Sequence, residues 1–337
     1  MLTNSFKISH FGKLYGLIFI VLIFGGCAPQ HFESPFAKSK SGPVLLAHRG
    51  VSQTFDHIGV DSTTCTASRI HPPTNDFLEN TLDSMAASIK AGADVIEIDV
   101  HPTTDGEFAV FHDWMLECRT NGSGRTRDHS MSDLKKLDIG YGYTADGGKT
   151  FPFRGKAVGM MPSLSEVLNT FPGQRLLINI KSNDPQEGEL LATYLNSLPL
   201  ERQQLIAVYG GAKPVAVIRK RVSDIMTMSR SSLKSCLTAY VLIGWSGAIP
   251  KSCEQTLITI PLNYTKWIWG WPNRFVQRMR SVGSAVFVLG NYSGEATQGI
   301  DSLADLESLP KNYEGGIWTN EVELIETALS ERRNCRH

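Results

Sequence analysis

The chain has 337 residues, 42% hydrophobic and 20% charged, enough for one large globular domain or two small ones. Lys plus Arg equals Asp plus Glu at 33 each, so net charge offers no argument for a nucleic-acid or acidic-surface partner, and nucleic acid is not expected.

The first 26 residues read as a secretory signal peptide. Lys7 and Lys13 precede an apolar run at 14–24, and Gly25-Gly26-Cys27 follows. Basic start, apolar middle and small residues at the cut are the order of such a leader, and the run is short for a bilayer span. The cysteine after the small pair resembles the lipobox of bacterial lipoproteins, which implies cleavage before Cys27 and lipidation of its thiol. Phe24 departs from the leucine usual in that motif. Plain secretion and an uncleaved anchor are the other readings. Several acyl chains on one residue would hold the protein on a membrane. Residues 27–42 are then the lipidated cysteine and a polar tether, and 43–330 the folded domain. The expected address is the bacterial cell envelope, as an outer-membrane or periplasm-facing lipoprotein, or otherwise secretion. An exported chain sits where disulfides persist. Cys65–Cys118 and Cys236–Cys253 are the expected pairs, with Cys335 free, although sequence does not fix connectivity.

Strand-like runs recur at 44–48, 95–100, 108–112, 176–181, 205–209, 225–229, 257–261, 285–289 and 316–319. Helical patterns at 81–91, 163–170, 187–198, 213–221 and 272–282 separate most of them; Ser163 and Glu166 form a capping-box pair. This alternation predicts an α/β fold with a parallel sheet, a (β/α)8 TIM-type barrel. Only 101–107 joins the second and third runs, too few residues for an ordinary crossover. A hairpin at Asp105-Gly106 and an abbreviated crossover both fit, so the barrel is irregular there. Two long loops, 51–78 and 119–153, follow polar strand ends, where a barrel builds its active face. Trp267, Trp269 and Trp271 either cover the mouth or pack on the barrel's side, and packing is the expectation. Gly122-x-Gly124 and Tyr209-Gly210-Gly211 read as turns.

The chemistry concentrates at 94–113. Glu97 and Asp99 share one face of a strand, and Ile96, Ile98 and Val100 take the other. Desolvating two adjacent carboxylates costs several kcal/mol unless something compensates. A hard cation, Ca²⁺ or Mg²⁺, would do so; a satisfied core pair or a water-facing edge strand are the alternatives. His48-Arg49-Gly50, His112-Asp113 and the pair Asn179 and Lys181 end three other strands.

Together, Ala47-His48-Arg49-Gly50, Glu79-Asn80-Thr81, Gly92-Ala93-Asp94, Glu97-x-Asp99-Val100, Thr104-Asp105-Gly106, His112-Asp113 and Pro162-x-Leu164 resemble the glycerophosphodiester phosphodiesterase family. Residues 178–181 and Trp318-Thr319-Asn320 match more loosely. The resemblance implies a TIM-type barrel, one divalent cation, and hydrolysis of glycerophosphodiesters to an alcohol and glycerol 3-phosphate. It casts Glu97 and Asp99 as metal ligands and His48 and His112 as the acid–base pair. Arg49 and Lys181 would bind phosphate, with Glu79 at the site's edge. Asn179 stands where the family usually has its third ligand, a glutamate; an Asn carbonyl can bind either cation but brings no charge. The expected partner is a small or lipid-derived phosphodiester, with the membrane reached through the N-terminal lipid. Direct attack by water and a cyclic phosphate intermediate both remain open, as does which histidine is the base. A phospholipase D-like enzyme on lysolipid or sphingolipid and a non-catalytic envelope binding protein are the alternatives.

Overall fold

In the computed structural model the apolar runs become nine strands, and the structure describes residues 34–37, 39, 42–61, 64–294 and 298–334. The strands are β1 (Val44–His48), β2 (Val95–Pro102), β3 (Phe108–Val110), β4 (Arg175–Ile180), β5 (Ile206–Gly210), β6 (Met226–Ser229), β7 (Leu257–Pro261), β8 (Ala285–Leu289) and β9 (Gly316–Thr319). Eight pair in parallel in the order β6-β5-β4-β2-β1-β9-β8-β7. A parallel bridge from Thr227 to Thr256 brings β6 beside the start of β7 and nearly closes the ring; Thr256 Oγ1 donates to the Thr227 carbonyl at 2.6 Å. The TIM-type barrel is therefore the fold. β3 stands outside the ring, antiparallel to β2 with Val100 opposite Val110. The short connection is a hairpin. Its turn is tied by Thr103 Oγ1 donating to Asp105 at 2.6 Å, and Asp105 also accepts from the Met131 backbone N–H.

Strand alternation sorts the side chains. Ile96, Ile98 and Val100 face outward and pack with Met85, Leu164, Val167 and Leu191 of the covering helices. Inside the ring, Leu46, Val95, Leu177, Ala207, Phe287 and Trp318 form an apolar plug. Along β2 the inward positions run Val95, Glu97, Asp99, His101, so charge replaces hydrocarbon toward the C-terminal end. Thr81 caps the helix Leu82–Lys90 through a box with Ser84, and the expected Ser163–Glu166 box opens Leu164–Thr170. The helix expected at 187–198 starts earlier, at Pro185, because Asp184 caps it.

Both long loops fold onto one satellite core that includes Ala67, Leu78, Leu116, Leu134, Tyr143 and Phe153. Both expected disulfides form, with Cα separations of 5.5 Å for Cys65–Cys118 and 4.8 Å for Cys236–Cys253. Cys27 and Cys335, with the leader, lie outside the described residues.

Four expectations change. Part of the tether is core: Pro35–Ala37 is a short 3-10 turn, and Phe36 and Ala37 are buried against Val44 and Leu46. Arg175 and Arg280 fasten that turn by donating to the Pro35 and Ala37 carbonyls. Of the three tryptophans at 267–271 only Trp271 packs inward, against Phe275 and Tyr313; Trp267 and Trp269 are exposed. Helices Arg230–Ile243 and Val322–Asn334, 14 and 13 residues long, lie where no helical pattern was evident. The first buries only Cys236 and Tyr240, so it shows no full apolar stripe, and its last three residues, Val-Leu-Ile, are exposed. Finally, Tyr209 and Gly210 belong to β5 rather than to a turn.

Candidate active site

Backbone geometry places the first two groups. β1 ends at His48, and Arg49 takes a left-handed φ of 61° while its N–H donates to the Glu97 carbonyl at 3.1 Å. Gly50 continues at φ 79°, and a Cβ there would lie 2.5 Å from Ser84 Oγ, so only glycine fits. Asn80 is also left-handed, at φ 60°, and its N–H donates to the Arg49 carbonyl. Left-handed non-glycine residues cost about 1–3 kcal/mol each and gather where surrounding contacts over-determine them. Here the return is a guanidinium folded across the barrel mouth.

Strand register assembles the rest. His48 lies opposite Glu97, Asp99 opposite Asn179, and Asn179 opposite Tyr209. Glu97 and Asp99 are fully buried, but their surroundings differ. Asp99 Oδ1 accepts from Asn179 Nδ2 at 2.8 Å and lies 3.4 Å from Lys181 Nζ. Its Oδ2 accepts from Asn80 Nδ2 at 3.1 Å and lies 3.0 Å from Arg49 Nε. Burial alone would raise the Asp99 pKa, but Lys181 and Arg49 hold it well below the usual carboxylate range. Glu97 accepts from Tyr209 Oη at 2.6 Å through Oε1, while Oε2 is buried without a donor. Burial, and then the Asp99 charge beside it, push Glu97 upward.

The two histidines have opposite supports. His48 Nδ1 is 2.7 Å from Asn320 Oδ1. Asn320 gives its backbone N–H and Nδ2 to the Asp301 carboxylate at 2.6 and 2.7 Å. A carboxylate only accepts, so the Asn320 amide must turn its oxygen to the ring, and His48 carries its proton on Nδ1. Nε2 is then the lone pair, 3.7 Å from Glu97 Oε2. Burial first, and the Arg49 charge second, lower the His48 pKa to about 3, so the ring is neutral. His112 Nδ1 instead meets a charge, donating to Asp113 Oδ1 at 2.6 Å. Burial and Arg49 still lower its pKa, with Asp99 and Asp113 opposing. The His112 charge lowers the His48 pKa, and Arg49 and Asp99 act on both rings, so the two imidazoles address one region.

A buried arginine ties the loops to this site. Arg119 Nε donates to Asp113 Oδ2 at 2.9 Å, Nη2 to Thr66 Oγ1 at 2.7 Å, and Nη1 to Tyr143 Oη. Its Nη1 also lies 3.2 Å from Glu79 Oε2, and Glu79 Oε1 accepts from Arg49 Nη1 at 3.2 Å. Glu79 therefore bridges two arginines. Thr66 and Arg119 are the neighbours of Cys65 and Cys118, so the disulfide and the Thr66–Arg119 hydrogen bond form adjacent rungs.

All eight residues singled out from sequence stand on this one face: His48, Arg49, Glu79, Glu97, Asp99, His112, Asn179 and Lys181. Asn320, Asp301, Tyr209 and Arg119 were given no role from sequence. Trp318-Thr319-Asn320 and the run after His112-Asp113 carried a signal for two of them; Asp301 and Tyr209 are recognisable only by contact. Among the described residues no three His, Cys, Asp or Glu side chains are grouped to hold a metal ion. The donor set is two carboxylates and an amide, and the Glu97 oxygen buried without a donor fits a hard cation. Asn179 offers only its Oδ1, since its nitrogen is turned to Asp99.

A parallel barrel whose C-terminal face joins paired carboxylates, two imidazoles, an arginine and a lysine defines a TIM-type barrel built for an anionic ligand. The sequence model of the glycerophosphoryl diester phosphodiesterase family matches residues 48–240, which hold most of these groups. The chain belongs to that family. It is 33% identical over 163 residues to a glycerophosphodiester phosphodiesterase of Bacillus subtilis (strain 168), covering 46% of this chain and 49% of the relative. The chain thus spans about half the length of the curated relatives it matches. The glycerophosphoryl diester phosphodiesterase domain of an uncharacterised Mycobacterium tuberculosis protein shares the fold with a TM-score of 0.60 at 18% identity, over 88% of this chain and 100% of that one. A phosphodiesterase of Oleispira antarctica, solved with sn-glycerol-3-phosphate, aligns with a TM-score of 0.53 at 18% identity, over 86% and 97%.

Proposed function

We propose that the protein hydrolyses glycerophosphodiesters to an alcohol and glycerol 3-phosphate, with His48 as base and His112 as acid. The observation that carries the assignment is the difference between the two ring supports. Asn320, itself held by Asp301, gives His48 a neutral ring with a bare Nε2. Asp113 gives His112 a counter-charge that favours the protonated ring. Arg49 Nη2 has no protein partner among the described residues, and with Lys181 it binds the phosphate oxygens.

A phosphodiester anion beside Arg49 offsets the charge that depresses His48 and restores its basicity. His48 then accepts the proton of the attacking oxygen, from water or from the glycerol hydroxyl. His112 gives a proton to the departing alcohol as the new P–O bond forms and the old one breaks. Each positioned transfer contributes about 10²–10⁴ in rate. A divalent cation, Ca²⁺ or Mg²⁺, held by Glu97, Asp99 and Asn179 Oδ1 would polarise the phosphoryl group and offset charge on the leaving oxygen. With an amide in place of a third carboxylate, its affinity is lower. The same reading places the protein on the bacterial envelope through an acylated Cys27; two disulfides support an oxidising compartment.

The test is glycerol 3-phosphate release from glycerophosphocholine, with chelator and with added metal. Turnover abolished by EDTA and restored by Mg²⁺ or Ca²⁺ is the expected result. Cleavage only of long-chain lysolipids, or binding without turnover, overturns it.

A further inference from the structure

Three of the exposed tryptophans belong to one built surface. Trp245, Trp267 and Trp269 are 69%, 64% and 49% exposed, beside the exposed run Val241, Leu242 and Ile243. Their backbone ties are firm. Trp269 Nε1 donates to the Val241 carbonyl at 2.9 Å, and Trp245 Nε1 to the Leu242 carbonyl at 3.1 Å. Tyr240 Oη donates to the Trp269 carbonyl, and Arg278 Nη1 holds both Tyr240 Oη and the Gly244 carbonyl at 2.8 Å. The Cys236–Cys253 disulfide fastens the same helix to the segment before β7. The Trp245 and Trp269 N–H groups are satisfied by backbone carbonyls while the rings stay in water, a costly display for a monomer.

Charge says what covers it. Across residues 230–280 the acidic side chain is Glu254 alone, whereas Arg230, Lys234, Lys251, Lys266 and Arg274 are exposed cations in a chain that is neutral overall. Lys266 sits against the Trp267 ring, 5.4 Å from its centroid. A second copy of this face would press cation against cation. An anionic lipid surface answers both features, because Trp and Tyr rings settle at headgroup depth and each nearby Lys or Arg adds attraction. No helix among the described residues is long and apolar enough to cross a membrane, so contact there would be interfacial.

Position links this surface to the site. The turn Leu262–Trp267 leaves the C-terminal end of β7, and Tyr264 meets Tyr292 beyond β8 with ring centroids 6.2 Å apart. Asn263 Nδ2 donates to the Tyr292 carbonyl, and Tyr292 N–H donates to Asn263 Oδ1, lacing the two loops together. These two loops leave the C-terminal ends of β7 and β8, the same end of the parallel ring at which His48 closes β1 and Asn320 follows β9.

We propose that this aromatic and basic rim docks on an anionic lipid bilayer and turns the barrel mouth toward the lipid headgroups. The docking is separate from the phosphodiesterase reading, and its test reads tryptophan emission rather than turnover, so either can fail without the other. The probe is the full chain on vesicles of phosphatidylcholine and phosphatidylglycerol brominated in their acyl chains. Three of the six tryptophans belong to the rim, so bromolipid should remove roughly a third to a half of the emission. Trp245→Phe with Trp267→Phe should abolish most of that quenching. Lys234→Gln with Lys266→Gln should weaken rim contact by about fivefold per cation. These readouts hold even where the N-terminal segment alone keeps the chain on the vesicle. Emission untouched by bromolipid, or equal quenching on purely neutral vesicles, overturns the proposal. So does quenching that survives the Phe replacements, or tryptophan-dependent dimerisation without lipid.

Discussion

Arg119→Met is the most searching perturbation of the site, because Arg119 has no role of its own in the proposed mechanism yet holds the partners of His112 and Arg49, which do. It answers Asp113, the partner of His112, and Glu79, the partner of Arg49. Breaking a buried ion pair costs about 3–5 kcal/mol, since the survivor is left uncompensated. Each carboxylate keeps one other partner, so the cost should fall near the lower limit, about 3 kcal/mol. Against a typical stability of about 5–15 kcal/mol the fold survives. With His112 no longer fixed, kcat should fall about a hundredfold, the lower bound for one positioned proton transfer. Burial would raise the Asp113 pKa, and Arg119 is the strongest influence holding it well below the usual range. Without Arg119 the carboxylate becomes more basic and grips the His112 proton harder. The limb of the pH–rate profile that reports His112 deprotonation should therefore move to higher pH. Arg119→Lys keeps the charge but loses the fork to Asp113, Thr66 and Tyr143, so stability should recover more than kcat. Urea denaturation and kcat against pH on glycerophosphocholine check both parts. An unchanged kcat with an unmoved profile would refute the reasoning.

Three further outcomes follow from the same contacts. Asn179→Ala removes an amide from Asp99 and an oxygen from the proposed cation, so metal affinity by calorimetry and activity should fall together; a loss of neither removes Asn179 from the ligand set. Phe36→Ala empties a buried aromatic site at the end of the barrel away from the chemistry, costing about 3–5 kcal/mol in urea denaturation with kcat preserved. His101 is fully buried, and burial followed by the Lys181 charge lowers its pKa to about 4. The folded state resists its protonation, so this contribution to stability is complete above the unfolded value near pH 6.5 and lost as pH falls toward 4. The total is about 3 kcal/mol at about 1.4 kcal/mol per unit, and His101→Gln should flatten urea midpoints across that window.

The barrel was legible because its strands are short apolar runs with breaks between them, and its polar strand ends announced the active face. Glu97 and Asp99 could be assigned to one face because strand alternation needs no tertiary information. Spacing could not reveal that Asp99 is surrounded by donors while one Glu97 oxygen has none, since that depends on Arg49, Asn80 and Lys181 arriving from three other segments. The hairpin stayed ambiguous because the seven residues 101–107 suit a hairpin or an abbreviated crossover until Val110 is seen opposite Val100. Phe36 looked like tether because it stands in a stretch with Pro, Ser and Lys and no apolar periodicity; only the open end of the barrel gives it somewhere to go. The helix Arg230–Ile243 escaped notice for the converse reason, since a surface that keeps its hydrocarbon outside breaks the periodicity that marks an ordinary helix.

The hairpin has one more implication. His48 sits on β1, whose ladder is shared with β2 and β9, whereas His112 follows β3, which pairs with one ring strand, β2, and on its other edge with the segment Pro162-Ser163. One imidazole is bolted to the closed ring and the other to an outrigger. Under the proposed mechanism, fraying of β3 would remove the acid while every rung of the ring stayed intact, so activity would be lost before the fold melts.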